Sequence, residues 1–120
     1  MRYGFRAWLF GIALPAGLVL GTKGLAEEPI DFSRKVLPVL SEKCFICHGP
    51  DGTDADVLRL DSYAAATTDL GGYQAIAPDA LEESVLLARI NSTDDPMPPE
   101  DAEKQLTADE RDVLGRWIRQ

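Results

Sequence analysis

The chain has 120 residues, a length that accommodates one globular domain but not two. It carries 20 acidic and 12 basic residues, which gives a formal net charge of −8 at pH 7. An acidic surface of this kind repels nucleic acid and anionic lipid, so the composition excludes a nucleic-acid-binding protein.

Residues 1–26 have the pattern of a secretory signal peptide. Arg2 and Arg6 form a positive n-region, residues 7–20 are uncharged and mostly apolar, and small residues precede the expected cleavage site. We expect residues 27–120 to be the mature domain and to lie in the periplasm or otherwise outside the cytoplasm. An uncleaved N-terminal membrane anchor is the alternative, although the apolar run is shorter than the roughly 20 residues that a membrane span needs.

The predicted mature domain is more acidic than the whole chain. Cleavage would remove three basic residues and no acidic ones, which leaves residues 27–120 with a net charge of −11. Such a charge suits a partner protein with a basic docking patch. Plain solubility is the simpler explanation for most of these charges.

The first predicted helix starts after Pro29 and runs to a glycine–proline pair. Asp31 or Ser33 can cap its start. Pro38 predicts a kink or a restart, because proline removes an amide donor and crowds the preceding turn. Gly49 predicts the end of the helix. The apolar stripe of the helix consists of Phe32, Val36, Leu37 and Leu40.

The same helix contains both cysteines and the only histidine of the chain, in the sequence Cys44-Phe45-Ile46-Cys47-His48. This C-x-x-C-H pattern predicts the covalent attachment of one haem c. The two thiols would form thioethers with the vinyl groups of haem, and the imidazole would bind its iron. Because positions 44, 47 and 48 share one helix face, a single turn can hold the porphyrin edge and the iron.

Three other interpretations of the motif are weaker. A disulfide between Cys44 and Cys47 would close a very small ring and add little stability. A thioredoxin-like dithiol needs a βαβ context, and no such pattern surrounds the motif. A zinc site that includes His48 lacks a second pair of ligands, and three ligands on one turn are cramped for a tetrahedral ion.

Two short segments follow the motif. Residues 51–56 form an acidic loop, and residues 57–60 are a mostly apolar run that predicts a brief extended segment. Arg59 within that run is a candidate partner for a haem propionate, and a solvated surface arginine is the alternative. Asp61 or Ser62 can cap a short helix that contains three nearby alanines.

Two capping boxes predict the remaining helices. Asp79 and Glu82 have the spacing of such a box and predict a helix that ends near Ile90. Thr107 and Glu110 have the same spacing and predict a last helix. Since no strand pattern exceeds four residues, the elements together predict an all-α domain with three to four helices around the haem plane. The apolar stripe of the last helix consists of Val113, Leu114, Trp117 and Ile118.

The second iron ligand is predicted by elimination. Met1 belongs to the signal peptide, and the sequence has no second histidine or third cysteine, so Met97 is the remaining strong donor. It lies in residues 91–104, which are rich in Asp, Glu and Pro and predict a loop. Prolines on both sides of Met97 stiffen the backbone. Water, a lysine or an open site is the alternative.

The ligand pair bears on function. A haem iron with two protein ligands is closed to substrate and transfers electrons, whereas an open iron binds small molecules. With His48 and Met97 as ligands, we expect an electron carrier rather than an enzyme, with a redox protein as its partner. Methionine also favours ferrous iron and raises the reduction potential. A haem-binding sensor, or an electron-entry subunit of a larger redox enzyme, is the alternative.

Several segments of the chain match a known family pattern, and they are Asp31-Phe32, Val36-Leu37-Pro38-Val39-Leu40, Cys44-Phe45-Ile46-Cys47-His48-Gly49-Pro50-Asp51, Leu58-Arg59-Leu60-Asp61, Glu83-Ser84-Val85-Leu86, Met97-Pro98-Pro99, Leu106-Thr107 and Trp117-Ile118. Over about residues 30–120 the chain resembles the planctomycete-type cytochrome c domain. The resemblance implies a small cytochrome c-like fold, with thioethers on Cys44 and Cys47. It also implies that His48 and Met97 bind the iron.

Overall fold

The computed structural model describes Gly24 and residues 27–120, so the predicted signal peptide and its cleavage site lie outside the described residues apart from that glycine. The described residues form an all-α domain without a strand, as the sequence predicts. A π-helical turn precedes the first α-helix, and a 3-10 turn precedes the fourth. The helical segments are the π turn Phe32–Val36, α1 (Leu37–Lys43), α2 (Phe45–His48), α3 (Tyr63–Ala66), the 3-10 turn Leu81–Glu83, α4 (Val85–Ile90) and α5 (Ala108–Arg119).

The first predicted helix restarts at its proline. Asp31 caps the π turn, because its Oδ1 atom accepts a hydrogen bond from the Arg34 amide at 3.0 Å. Pro38 lies in the first turn of α1, where its missing N–H leaves no helical hydrogen bond unmade. A second break at Cys44, which the sequence does not indicate, separates α1 from α2. Gly49 follows the last residue of α2, so the predicted end of the helix is confirmed.

After the motif, the structure confirms one of the two predicted caps of the short helix. Ser62 caps α3, since its Oγ atom accepts a hydrogen bond from the Ala65 amide at 3.2 Å. Residues 58–60 have no regular secondary structure. Gly71 and Gly72 have φ angles of 92° and 102°, a region that only glycine adopts readily, and they turn the chain towards α4.

The predicted capping box at Asp79 and Glu82 is wrong. No side chain of residues 27–120 caps the 3-10 turn there, and α4 begins later, at Val85. The first two amides of α4 donate instead to the carbonyls of Gln74 and Ala75, at 3.1 and 3.0 Å. A segment outside the helix therefore supplies hydrogen-bond acceptors for the first amides of α4. The spacing of residues near the helix start does not reveal such a contact.

The last helix completes the hydrophobic core. Leu114 of α5 lies in one apolar cluster with Val36 and Leu40, and all three side chains are at most 1% exposed. At the edge of that cluster, the Trp117 ring packs on Phe32 with 5.5 Å between the ring centroids. In the part of the chain that the structure describes, no helix has the length and apolar character needed to cross a membrane.

The capping box of α5 is confirmed and provides a test of the fold. The Thr107 amide donates to Glu110 Oε2 at 2.8 Å, and the Glu110 amide donates to Thr107 Oγ1 at 3.2 Å. We predict that Thr107→Ala lowers the free energy of unfolding by about 1 kcal/mol, because an amide of the first turn loses its acceptor. Chemical denaturation followed by circular dichroism measures the loss. Thr53→Ala, at an exposed turn position, is the control, and equal losses in both variants would contradict the prediction.

Candidate functional site

The cysteine–histidine motif forms one tight turn. The His48 amide donates to the Cys44 carbonyl at 2.8 Å, and the Cys47 amide donates to the same carbonyl at 3.2 Å. Although Cys44 lies just before α2, these bonds place residues 44, 47 and 48 on one helical turn, as the sequence predicts. All three side chains line one cavity, which we call the central cavity.

A backbone carbonyl fixes the orientation of the His48 ring. The Nδ1 atom lies 3.0 Å from the carbonyl oxygen of Leu58. Because a carbonyl can only accept a hydrogen bond, this contact assigns the proton to Nδ1 and leaves the lone pair on Nε2. The imidazole can therefore bind a metal through Nε2. The sequence does not reveal this acceptor, because every residue carries a carbonyl group.

The segment of residues 49–60, which we call the return loop, folds back over the end of α2. The amides of Thr53, Asp54 and Leu60 donate to the carbonyls of the last three residues of α2, at 2.9–3.2 Å. Carbonyls at the end of a helix otherwise lack a partner within the helix. The return loop thus holds the backbone of the motif in place while its Leu58 carbonyl orients the histidine ring.

Gly52 makes this close approach feasible. The Cβ atom of any other residue at this position would lie 2.2 Å from the carbonyl oxygen of Cys47, far inside contact distance. The sequence places Gly52 in a loop but does not by its local pattern indicate this close contact. A glycine five residues after the second cysteine is the only sequence signal that could have indicated it.

The central cavity brings together the donors that the sequence selects from two distant parts of the chain. Cys44, Cys47 and His48 line it from the motif, and Met97 lines it from the loop after α4. Its walls are mostly apolar, and its empty volume, including the part open to solvent, is about 1030 Å³. Two thiols, an imidazole and a thioether around an apolar cavity fit the chemistry of a covalently attached haem.

Met97 is anchored to the end of α4. Its amide donates to the carbonyl of Arg89 at 3.1 Å. Beyond it, the Gln105 side chain donates to the Pro99 carbonyl at 2.6 Å. Residues 91–104 have no helix or strand, as the sequence predicts, so these bonds rather than regular secondary structure hold the half-buried methionine beside the cavity.

The two cysteines are unpaired and differ in burial. Cys44 is buried, whereas Cys47 is half-buried. Burial, with a smaller contribution from Cys47, raises the pKa of the Cys44 thiol to about 11. Redox dithiols rely on a thiolate with a lowered pKa, so the direction of this shift disfavours the thioredoxin-like alternative. Within the described residues, no group of three or more His, Cys, Asp or Glu side chains is arranged to hold a metal ion.

Arg59, the candidate propionate partner, and Arg89 occupy different positions. Arg59 is not part of the cavity wall, and its guanidinium donates hydrogen bonds to the two carboxylate oxygens of Asp61 at 2.8 and 2.6 Å. Its contact with a haem propionate stays a prediction. Arg89 does line the central cavity, and among the described residues its buried Nε–H has no hydrogen-bond acceptor.

Comparison with known proteins gives one match. Residues 44–101 match the family model described as Planctomycete cytochrome C. The matched segment runs from the first cysteine of the motif through the return loop to the loop that contains Met97. No curated protein and no solved structure matches the chain.

The contact at Gly52 leads to a prediction about haem attachment. We expect Gly52→Ala to displace the return loop from Cys47, to lower the yield of covalently bound haem and to destabilise the protein by about 1–3 kcal/mol, since the added methyl has no space. Haem staining of denaturing gels and chemical denaturation measure the two effects.

Gly115→Ala is the matched control. Gly115 lies inside α5, and an added Cβ would meet the flexible end of Arg119 at 3.2 Å. Alanine is favoured over glycine in a helix by about 1 kcal/mol, so this variant should retain its haem and its stability. Normal haem yield in Gly52→Ala would show that the return loop does not constrain the motif.

Proposed function

This chain carries a cytochrome c domain of the planctomycete type, and we propose that the domain transfers electrons outside the cytoplasm through one haem c with His48 and Met97 as iron ligands. The observation that supports this proposal is the presence of both residues, with Cys44 and Cys47, in the wall of one apolar cavity. Haem supplies a ferric/ferrous couple that takes up and releases one electron at a time. The protein residues hold that couple and adjust its potential.

The cysteines provide the attachment in this proposal. The S–H bond of each thiol would add across one vinyl group of haem, which would give a thioether without loss of any atom. The amides of Cys47 and His48 donate to the Cys44 carbonyl, and the return loop holds the Cys47 carbonyl, so the backbones of the two cysteines have a fixed spacing. Covalent attachment would make the cofactor a permanent part of the small hydrophobic core.

The two proposed iron ligands have different tasks. The Leu58 carbonyl holds the proton on His48 Nδ1, which keeps Nε2 free and raises its basicity as a ligand. Met97 contributes a soft, uncharged sulfur, which stabilises ferrous iron and raises the reduction potential. Together they would leave no coordination position for substrate, which suits a carrier.

The proposed partner is a redox protein with a basic docking patch. Residues 27–120 carry a net charge of −11, and such a surface attracts a cationic partner over a distance of several ångströms. Ile46 and Val57 are 77% and 60% exposed at the mouth of the central cavity. They offer apolar contact area close to the proposed haem edge.

Arg59 has a conditional part in this proposal. Its guanidinium is bound by Asp61, so it would contact a propionate only by sharing or releasing that carboxylate.

A second function, a haem-binding sensor or an electron-entry subunit of a larger enzyme, is favoured by the half-buried position of Met97 in a loop without regular structure. Release of that ligand would open the iron to a small molecule.

Replacement of Met97 tests the carrier function. We expect the ferric protein to show a methionine-to-iron charge-transfer band, and Met97→Ala to lose that band, to have a lower reduction potential and to bind carbon monoxide rapidly when reduced. Haem staining should be unchanged, because the thioethers do not involve Met97. Ile46→Ala, an exposed apolar position at the cavity mouth, is the control. An identical spectrum in wild type and Met97→Ala would overturn the ligand assignment.

The acidic surface leads to a kinetic prediction. At low ionic strength, the reduced protein should transfer electrons to a small cationic oxidant faster than its driving force alone predicts, and to an anionic oxidant more slowly. Both deviations should shrink as salt approaches about 0.1 M, where the Debye length is about 10 Å. Stopped-flow oxidation measures the rates. Rates that do not change with salt would argue against electrostatic docking.

A further inference from the structure

We propose that the ion pair between Arg89 and Asp95 is a latch that keeps Met97 on the iron and thereby limits the access of outside ligands. This inference rests on the proposed Met97 ligation. It makes Arg89 a positioning residue, because Arg89 acts on the iron through the methionine loop, which we define as residues 91–97. The latch adds to the backbone hydrogen bonds that keep the methionine loop closed.

The backbone of Arg89 anchors the methionine loop to α4. Arg89 lies in the last turn of α4, whose first amides are held by the carbonyls of a distant segment. Its carbonyl oxygen accepts hydrogen bonds from the Ser92 amide at 3.3 Å and from the Met97 amide at 3.1 Å. Both ends of the methionine loop are therefore tied to one carbonyl group.

The side chain of Arg89 makes a second contact with the methionine loop. Its Nη1 atom pairs with the carboxylate of Asp95, two residues before Met97. The Asp95 amide also donates to Ser92 Oγ at 3.0 Å, so the loop is braced internally. A residue that holds the loop through its main chain and its side chain can transmit a change at Asp95 to the methionine.

The burial of the two partners shows why the pair matters. The Arg89 side chain is only 31% exposed and lines the central cavity, whereas the Asp95 side chain is 69% exposed. The Nε–H of Arg89 is buried and has no acceptor in the described part of the chain. Loss of the Asp95 charge would therefore leave a cation at the cavity wall with its main electrostatic partner removed. We expect the loop to open more often as a result.

The size of the effect is limited by the exposure of Asp95. Exposed ion pairs typically shift an equilibrium by no more than about fivefold. The latch should therefore bias the closed state by about two- to fivefold, while the backbone bonds to the Arg89 carbonyl supply the rest. An effect of this size is measurable by ligand titration.

The test is an imidazole titration of the ferric, haem-bound protein, followed in the visible spectrum. Imidazole competes with Met97 for the iron, so its apparent affinity reports how often the methionine leaves. Asp95→Asn and Arg89→Gln should each tighten imidazole binding by about two- to fivefold, and the double variant should match the single variants. The reversed pair, Arg89→Glu with Asp95→Arg, should restore part of the wild-type affinity. Salt near 1 M should move the wild type towards Asp95→Asn.

Glu82→Gln is the matched control. Glu82 pairs with Arg119 and its side chain is 72% exposed, close to the exposure of Asp95, but neither partner lines the central cavity. This variant should leave imidazole affinity unchanged. A change as large as that of Asp95→Asn would reveal a general effect of lost charge and would overturn the latch.

The outcomes separate the latch from the ligand assignment. If the wild type lacks the methionine-to-iron band, the assignment of Met97 as a ligand is wrong, and the proposed latch is then wrong as well. If the band is present and Asp95→Asn binds imidazole as the wild type does, the latch alone is wrong. Additive effects in the double variant would likewise overturn it, since the two residues would then act independently.

Discussion

The hydrogen bonds between the return loop and α2 are the constraint on which the candidate site depends. A helix of four residues has too few internal bonds to be stable alone. The amides of Thr53, Asp54 and Leu60 supply partners for its last carbonyls, and the Leu58 carbonyl orients the histidine ring. The same short loop therefore fixes the backbone of the motif and the tautomer of its imidazole.

The other wall of the cavity is built differently. Helix α4 is held by the segment before it and by buried side chains, but Met97 lies beyond its end in a loop without regular structure. The two proposed iron ligands are thus held in place by unequal sets of contacts. His48 belongs to a closed turn, whereas Met97 depends on contacts with Arg89. In the proposed haem complex, this asymmetry would make Met97 the ligand that exchanges.

The proposed haem would also contribute to the stability of so small a domain. Fourteen buried residues form its one described apolar cluster, which is modest for a domain of this length. The central cavity interrupts the packing between the motif and α4, and its walls are mostly apolar. A covalently attached haem would fill that space and join the two parts of the core, so that the cofactor acts in folding as well as in electron transfer.

The sequence by itself determined what depends on neighbouring residues. The spacing of Cys44, Cys47 and His48, the restart at Pro38 and the capping box at Thr107 are local patterns, and the structure contains each of them. Composition also selects Met97 as the candidate second ligand, because it is the remaining strong donor; its binding to iron stays a prediction.

The tertiary structure decided what depends on contacts between distant segments. The start of α4 rests on the carbonyls of Gln74 and Ala75, the histidine tautomer on Leu58, and the position of Met97 on Arg89. Backbone carbonyls accept these bonds, and they are alike in every residue. No side-chain pattern could therefore identify which of them the fold would bring into reach.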